Sequence, residues 1–113
     1  MARKRTEEEW ETHVFPSESK FQEYVMKRLR SREKEFKDIK AVKVNDSRTP
    51  GIPDILICAR GFYVAIELKQ PGNYPTALQK KFLEEIREAK GVSCVAYNWK
   101  DVKDALEVAG ICF

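Results

Sequence analysis

Two apolar runs separated by Arg60-Gly61 constrain this chain more than any other feature. Residues 54–59 and 62–69 have the length and β-branched content of strands, and the glycine between them supplies the positive φ that a tight hairpin turn requires. With Ala59 facing Phe62 across a two-residue turn, Asp54 falls directly opposite Glu67. Opposed residues on one face have Cβ atoms about 4.5–5.5 Å apart. Lys69, two residues beyond Glu67, shares that face about 7 Å along the strand. A three-residue loop would shift the pairing by one and turn Glu67 away from Asp54. Two carboxylates held this close repel unless a cation lies between them, which is the arrangement of a divalent-metal site. The competing account is an edge hairpin with a solvated carboxylate and a Glu/Lys pair. Against it stand Ile55-Leu56-Ile57 and Val64-Ala65-Ile66, which read as strands buried on both faces. A charged group in such company needs a partner.

The 113 residues suffice for one core, and 42% hydrophobic with 35% charged residues describes an ordinary globular domain. No apolar run reaches the ~18–20 residues of a membrane span, and the first residues lack an apolar signal core, so no membrane partner is expected. Cys58, Cys94 and Cys112 form no close pair, and His13 is the only histidine. A zinc site is therefore disfavoured, and the cysteines read as buried thiols in a reducing compartment. The net charge of +3 is unevenly placed: residues 18–50 carry ten basic and six acidic side chains, whereas residues 51–113 carry eight of each. The excess gathers at Lys27, Arg28, Arg30, Arg32, Lys34, Lys37, Lys40 and Lys43. Charge alone fits either a phosphate-binding surface or a solvated helix face.

Residues 1–16 show no clear apolar period and read as an N-terminal arm, with Trp10, Val14 and Phe15 available to pin it to the body or to a second subunit. Residues 17–113 read as a single domain. A helix is expected over about 17–32, with Phe21, Val25, Met26 and Leu29 inward. A strand at 36–44 and a loop at 45–51 precede the hairpin. A helix follows over about 76–90, carrying Leu78, Phe82, Leu83, Ile86 and Ala89 inward and stopping at Gly91. A fourth strand at 92–97 and a helix at about 100–109 complete the order α-β-β-β-α-β-α, a mixed α/β sheet flanked by helices.

Two helix faces carry a polar residue where the pattern asks for core. In the first helix the apolar arc centres on the direction of Glu18, while Glu23 points away with Lys27 at i+4. Glu18 is thus a candidate third acid for the Asp54/Glu67 cluster, or else a first-turn acid favoured by the helix dipole. Gln79 lies inside the arc of the second helix. It either supports a buried carboxylate or closes a Thr76-x-x-Gln79 capping box.

Gly51-Ile52-Pro53-Asp54-Ile55-Leu56, Ile66-Glu67-Leu68-Lys69, Leu78-Gln79-x-x-Phe82-Leu83 and Gly91 together resemble the virus-type replication-repair nuclease (VRR-NUC) domain. That domain belongs to the PD-(D/E)xK superfamily with its restriction-endonuclease-like core, and the likeness covers about residues 17–108. The resemblance implies a nuclease in which Asp54, Glu67 and the Leu68 carbonyl bind Mg²⁺ or Mn²⁺. Glu18 is then the first-helix acid and a further candidate metal ligand, Lys69 positions or activates water, and Gln79 is a supporting polar group. It implies a homodimer acting on four-way (Holliday) junctions or other branched DNA, without a small-molecule cofactor, in the cytoplasm of a bacterial host and phage-encoded. Alternatives within the same reading are a flap, nicking or single-strand exonuclease; outside it stands a catalytically silent DNA-binding subunit. Chemistry points the same way, since an oxygen-only ligand set suits Mg²⁺ or Mn²⁺ over zinc. Ser47, Arg48, Arg28 and Arg32 are the candidate DNA contacts.

Overall fold

The hairpin forms in the expected register. In a computed structural model, which describes residues 3–45 and 48–113, the chain runs through α1 (Glu7–Glu11), α2 (Glu18–Phe36), β1 (Ile39–Lys43), β2 (Ile55–Ala59), β3 (Phe62–Leu68), α3 (Ala77–Glu88), β4 (Val92–Ala96) and α4 (Trp99–Val108). Ala59 faces Phe62 and Ile55 faces Ile66. Arg60 and Gly61 both have positive φ, 51° and 89°, the backbone of a two-residue turn whose twist matches that of its strands. The sheet order is β1-β2-β3-β4, with β1–β2 and β2–β3 antiparallel and β3–β4 parallel. The crossover that parallel pairing requires is α3.

The main core lies on one face of the sheet. Phe21, Val25 and Leu29 of α2 meet Ile55, Ile57, Val64, Ile66 and Leu68, together with Trp99, Val102 and Leu106 of α4. On the other face α3 covers only part of the sheet, packing Leu83 and Ile86 over Ala65. This partial cover corrects the reading of β2 as buried on both faces. Only β3 is buried continuously, over Val64–Leu68; β2 alternates, with Cys58 exposed. Leu78 and Ala89, expected inward, are exposed. The cysteines are also corrected: Cys58 and Cys112 are exposed and only Cys94 is half-buried, its thiol pushed up to about 12 by burial.

Helix α2 continues to Phe36, so the residue expected to open β1 instead ends a helix. Good helix formers fill its last turns, and those turns are fastened to β1. Glu33 Oε2 accepts the Ala41 N–H at 2.6 Å, and Arg32 Nη2 lies 2.6 Å from Asp38 Oδ2. Lys37 then takes the left-handed conformation (φ 55°) and closes the helix through the Glu33 carbonyl. At the other end Glu23 pairs with Lys20 at 3.5 Å rather than with Lys27.

The N-terminal segment is more ordered than an arm. Thr6 and Glu9 form a capping box around α1, a short helix without an apolar face. Charge docks it instead. Glu7 accepts from Arg28 Nη1 at 2.8 Å, Trp99 Nε1 at 2.9 Å and Lys103 Nζ at 2.8 Å. Trp10 stacks on Tyr24 at 4.5 Å, and Phe15 on Phe21 at 5.4 Å; Val14 stays exposed and pins nothing. Burial works to raise the Glu7 carboxyl, but the bonds from Arg28, Lys103 and Trp99 outweigh it and hold it down at about 2. Its contribution to stability is therefore present above the ordinary value of 4.5 and is lost as pH falls toward 2. Glu7→Ala is expected to cost about 1–2 kcal/mol, the lower part of the range for breaking bonds to charged groups, because Glu7 is half exposed. Urea denaturation at pH 7 checks this, and the gap from the parent should close at pH 2–3.

Candidate active site

The site sits where β2 begins and β3 ends. A tight turn delivers Asp54 to it: the Ile52 N–H donates to the Thr49 carbonyl at 3.3 Å across Pro50-Gly51, with Gly51 at φ 75°. Proline then positive-φ glycine is the sequence of a type II turn. Pro53 is buried, and the Asp54 carbonyl accepts from Val44 N at 2.8 Å, so both sides of Asp54 are fixed. One step beyond the Ile55–Ile66 pair, Asp54 stands opposite Glu67. Its Oδ2 accepts the Leu68 N–H at 2.8 Å.

Glu67 is 2% exposed, the only charged residue among the buried described residues. Its Oε2 has no hydrogen-bond partner among the described residues. Burial pushes the carboxyl up, to about 8. A side-chain hydrogen bond with Asp54 and that residue's charge add to the effect, Lys69 opposes it, and Glu18 adds a smaller push upward. Asp54, Lys69 and Glu18 therefore lie within electrostatic reach of Glu67, in the loop before β2, just past the end of β3 and in the first turn of α2. The helix phase that turned Glu18 inward places it half-buried at the start of α2.

A buried carboxylate oxygen without a partner, beside a second carboxylate, fits a hard divalent cation. Asp54 and Glu67 would hold it. Among the described residues no three His, Cys, Asp or Glu side chains come together as a metal-binding group. Glu18 lies near the pair by its charge, and in the metal-free site it joins no group of three ligating side chains among the described residues.

The other expected site residues have local work. Gln79 Oε1 accepts the Thr76 N–H at 2.8 Å while Thr76 Oγ1 accepts the Gln79 N–H at 3.2 Å. This is the capping-box alternative; among the described residues Gln79 bonds Thr76 and not the carboxylates. Arg28 binds Glu7 through both terminal nitrogens and Tyr24 Oη at 2.6 Å, and lies 4.7 Å from the centre of the Trp99 ring. Arg32 is bidentate to Asp38 and donates to the Cys112 carbonyl. These guanidinia fasten the N-terminal helix and the C-terminal tail, and the donors named here face protein. Arg48 is exposed in the bend before Gly51, and Ser47 lies outside the described residues. Lys43 is exposed and pairs with Ile55, whose side chain faces the α2 core, so strand alternation turns Lys43 to the face opposite Asp54 and Glu67.

No family model matches the chain, and no curated protein matches it. A solved structure described as a "VRR_NUC domain" superposes with a TM-score of 0.63 at 23% identity, over 80% of this chain and 94% of that one. The likeness establishes the fold: this chain has the VRR-NUC-type, restriction-endonuclease-like architecture.

Proposed function

We propose that this protein is a metal-dependent nuclease that hydrolyses phosphodiester bonds in DNA, selecting branched structures such as four-way junctions and acting as a homodimer. One observation carries the reading: Glu67 is buried beside Asp54 with an oxygen that has no partner among the described residues, and Lys69 is the cation whose charge acts on it. A structural ion pair would satisfy both carboxylates; here one buried oxygen is left for a ligand to satisfy. The shared fold with a VRR_NUC domain supports the same reaction class. Bound to Asp54 and Glu67, Mg²⁺ or Mn²⁺ would acidify water and offset the charge that grows on phosphate. The protein's own part is positional and electrostatic. Asp54 is held by the Leu68 N–H, and Lys69 would present an ammonium to the charge that develops on the phosphoryl oxygens or to the attacking water. The exposed Lys27, Lys34, Lys37 and Lys40 would add long-range attraction for a polyanion. Two strands of a junction need two active centres, which a homodimer supplies.

The test is cleavage of junction, flap, duplex and single-stranded DNA in Mg²⁺ and in Mn²⁺, beside Asp54→Asn and Lys69→Ala. The expected outcome is cleavage of junction DNA by the parent protein and a rate reduced about 10²–10³-fold or more in each variant, as for loss of one preorganised electrostatic group. No cleavage of any substrate, or cleavage unchanged in both variants, overturns the reading.

A further inference from the structure

The residue after Lys69 is tied to the far end of the sequence. Gln70 Nε2 donates to the Phe15 carbonyl at 2.7 Å, partly buried, across 55 residues of chain. Neither end of that bond is loose. The Phe15 ring stacks on Phe21 at 5.4 Å and Trp10 at 6.0 Å, and meets His13 edge-on at 4.6 Å. Two residues later Ser17 caps α2, and Glu18 is that helix's first residue. On the other side, the Gln70 carbonyl accepts the Asn73 N–H at 3.0 Å, starting the loop that leads to α3.

Lys69 itself is exposed to fraying. The paired part of β3 stops at Leu68, which faces Ala96, and among the described residues Lys69 keeps one further backbone bond of that edge, its N–H to the Ala96 carbonyl at 3.0 Å. Backbone just past the end of a ladder opens more readily than backbone within it. A long, flexible lysine mounted there aims its ammonium only if the backbone beneath it is held. The amide of Gln70 supplies a second hold, and its anchor belongs to the segment that launches Glu18.

We propose that Gln70 is a positioning residue for Lys69: its bond to the Phe15 carbonyl clamps the chain beyond β3 to the N-terminal segment and fixes Lys69 relative to Glu18. This makes residues 3–16 part of the site's scaffold. The effect on rate rests on the nuclease reading above; the effect on backbone order does not.

Gln70→Met keeps the side chain's length and removes the donor. Its melting temperature is measured first, and two readouts follow. Amide hydrogen exchange in the metal-free protein is expected to speed up by about 10-fold or more at Lys69, with Ile57 and Val64 in the core strands unchanged, as for a local rather than global opening. With junction DNA and Mg²⁺, kcat is expected to fall about 10–100-fold with KM within about two-fold of the parent, as misplacement of a catalytic group by an ångström would give. Unchanged exchange at Lys69, or equal acceleration throughout the sheet, overturns the clamp. Exchange that changes while kcat does not reduces Gln70 to a structural tie and overturns its role in the reaction. If the parent cleaves nothing, the nuclease reading falls, and exchange at Lys69 still decides whether the clamp exists.

Discussion

Glu67→Gln is expected to make the metal-free protein more stable and to abolish cleavage. Glu67 is 2% exposed and its Oε2 lacks a partner among the described residues. Its carboxyl is raised from the ordinary 4.5 to about 8, burial being the largest cause and Asp54 the next. A group whose pKa rises on folding binds its proton more tightly in the folded state. Folding stability is then full below 4.5 and declines as pH climbs through 8. In the presence of a chelator the parent's melting temperature should therefore fall between pH 5 and pH 9, and the amide of Gln, which cannot ionise, should remove most of that slope. Mg²⁺ or Mn²⁺ should restore the parent at pH 8–9, because a ligand that binds only the folded state stabilises it by mass action. It should leave the variant where it was. Cleavage by the variant should drop about 10³-fold or more, some 4 kcal/mol of transition-state stabilisation. A parent melting temperature flat from pH 5 to 9 would contradict the buried, unpartnered carboxylate. Equal rescue of parent and variant by metal would place the cation elsewhere.

That site was readable because its geometry is local. Arg60-Gly61 fixes the turn, the turn fixes the register, and strand alternation then leaves Asp54, Glu67 and Lys69 no other face to share. Glu18 followed from helical phase alone. What the sequence concealed depends on partners distant along the chain. Arg28 meets Glu7, 21 residues away, and Arg32 meets Cys112, 80 residues away. No window of periodicity reports such pairs, so both arginines read as a surface cluster. Helix α1 was hidden for a related reason: it docks by the carboxylates of Glu7 and Glu11 and the Trp10 indole, leaving no apolar stripe to count. The one-sided burial of β2 reflects how little of the sheet α3 spans, a fact of tertiary cover and not of strand composition. Gln79 differs from these. Its capping box with Thr76 is written in four consecutive residues, and the local reading was sufficient.

Gly51→Ala is expected to damage both the fold and the site, far more than the same change at Gly72. Both glycines have positive φ, 75° and 93°, so both substitutions carry the torsional cost of the left-handed region, about 1–2 kcal/mol. Only Gly51 also meets a wall. A Cβ there would lie 2.3 Å from the Leu78 carbonyl oxygen, 2.5 Å from its carbon and 2.9 Å from Gln79 N, whereas at Gly72 nothing stands within 4 Å. The wall is backbone in the first turn of α3, and the Thr76–Gln79 capping box holds that turn in place. It cannot swing aside as a side chain would. Relief must come from moving the 49–52 turn, and Asp54 moves with it, three residues away. Forcing a group into closed space adds about 1–3 kcal/mol, giving about 2–5 kcal/mol in all for Gly51→Ala against about 1–2 for Gly72→Ala. Urea midpoints of the two variants measure the difference directly. Asp54 shifted by about an ångström should also lower cleavage on the order of 10²-fold, while Gly72→Ala should cleave as the parent does. Equal losses of stability in the two variants would mean that the turn relaxes freely against α3. The close packing of Gly51 on Leu78 would then not be what positions Asp54.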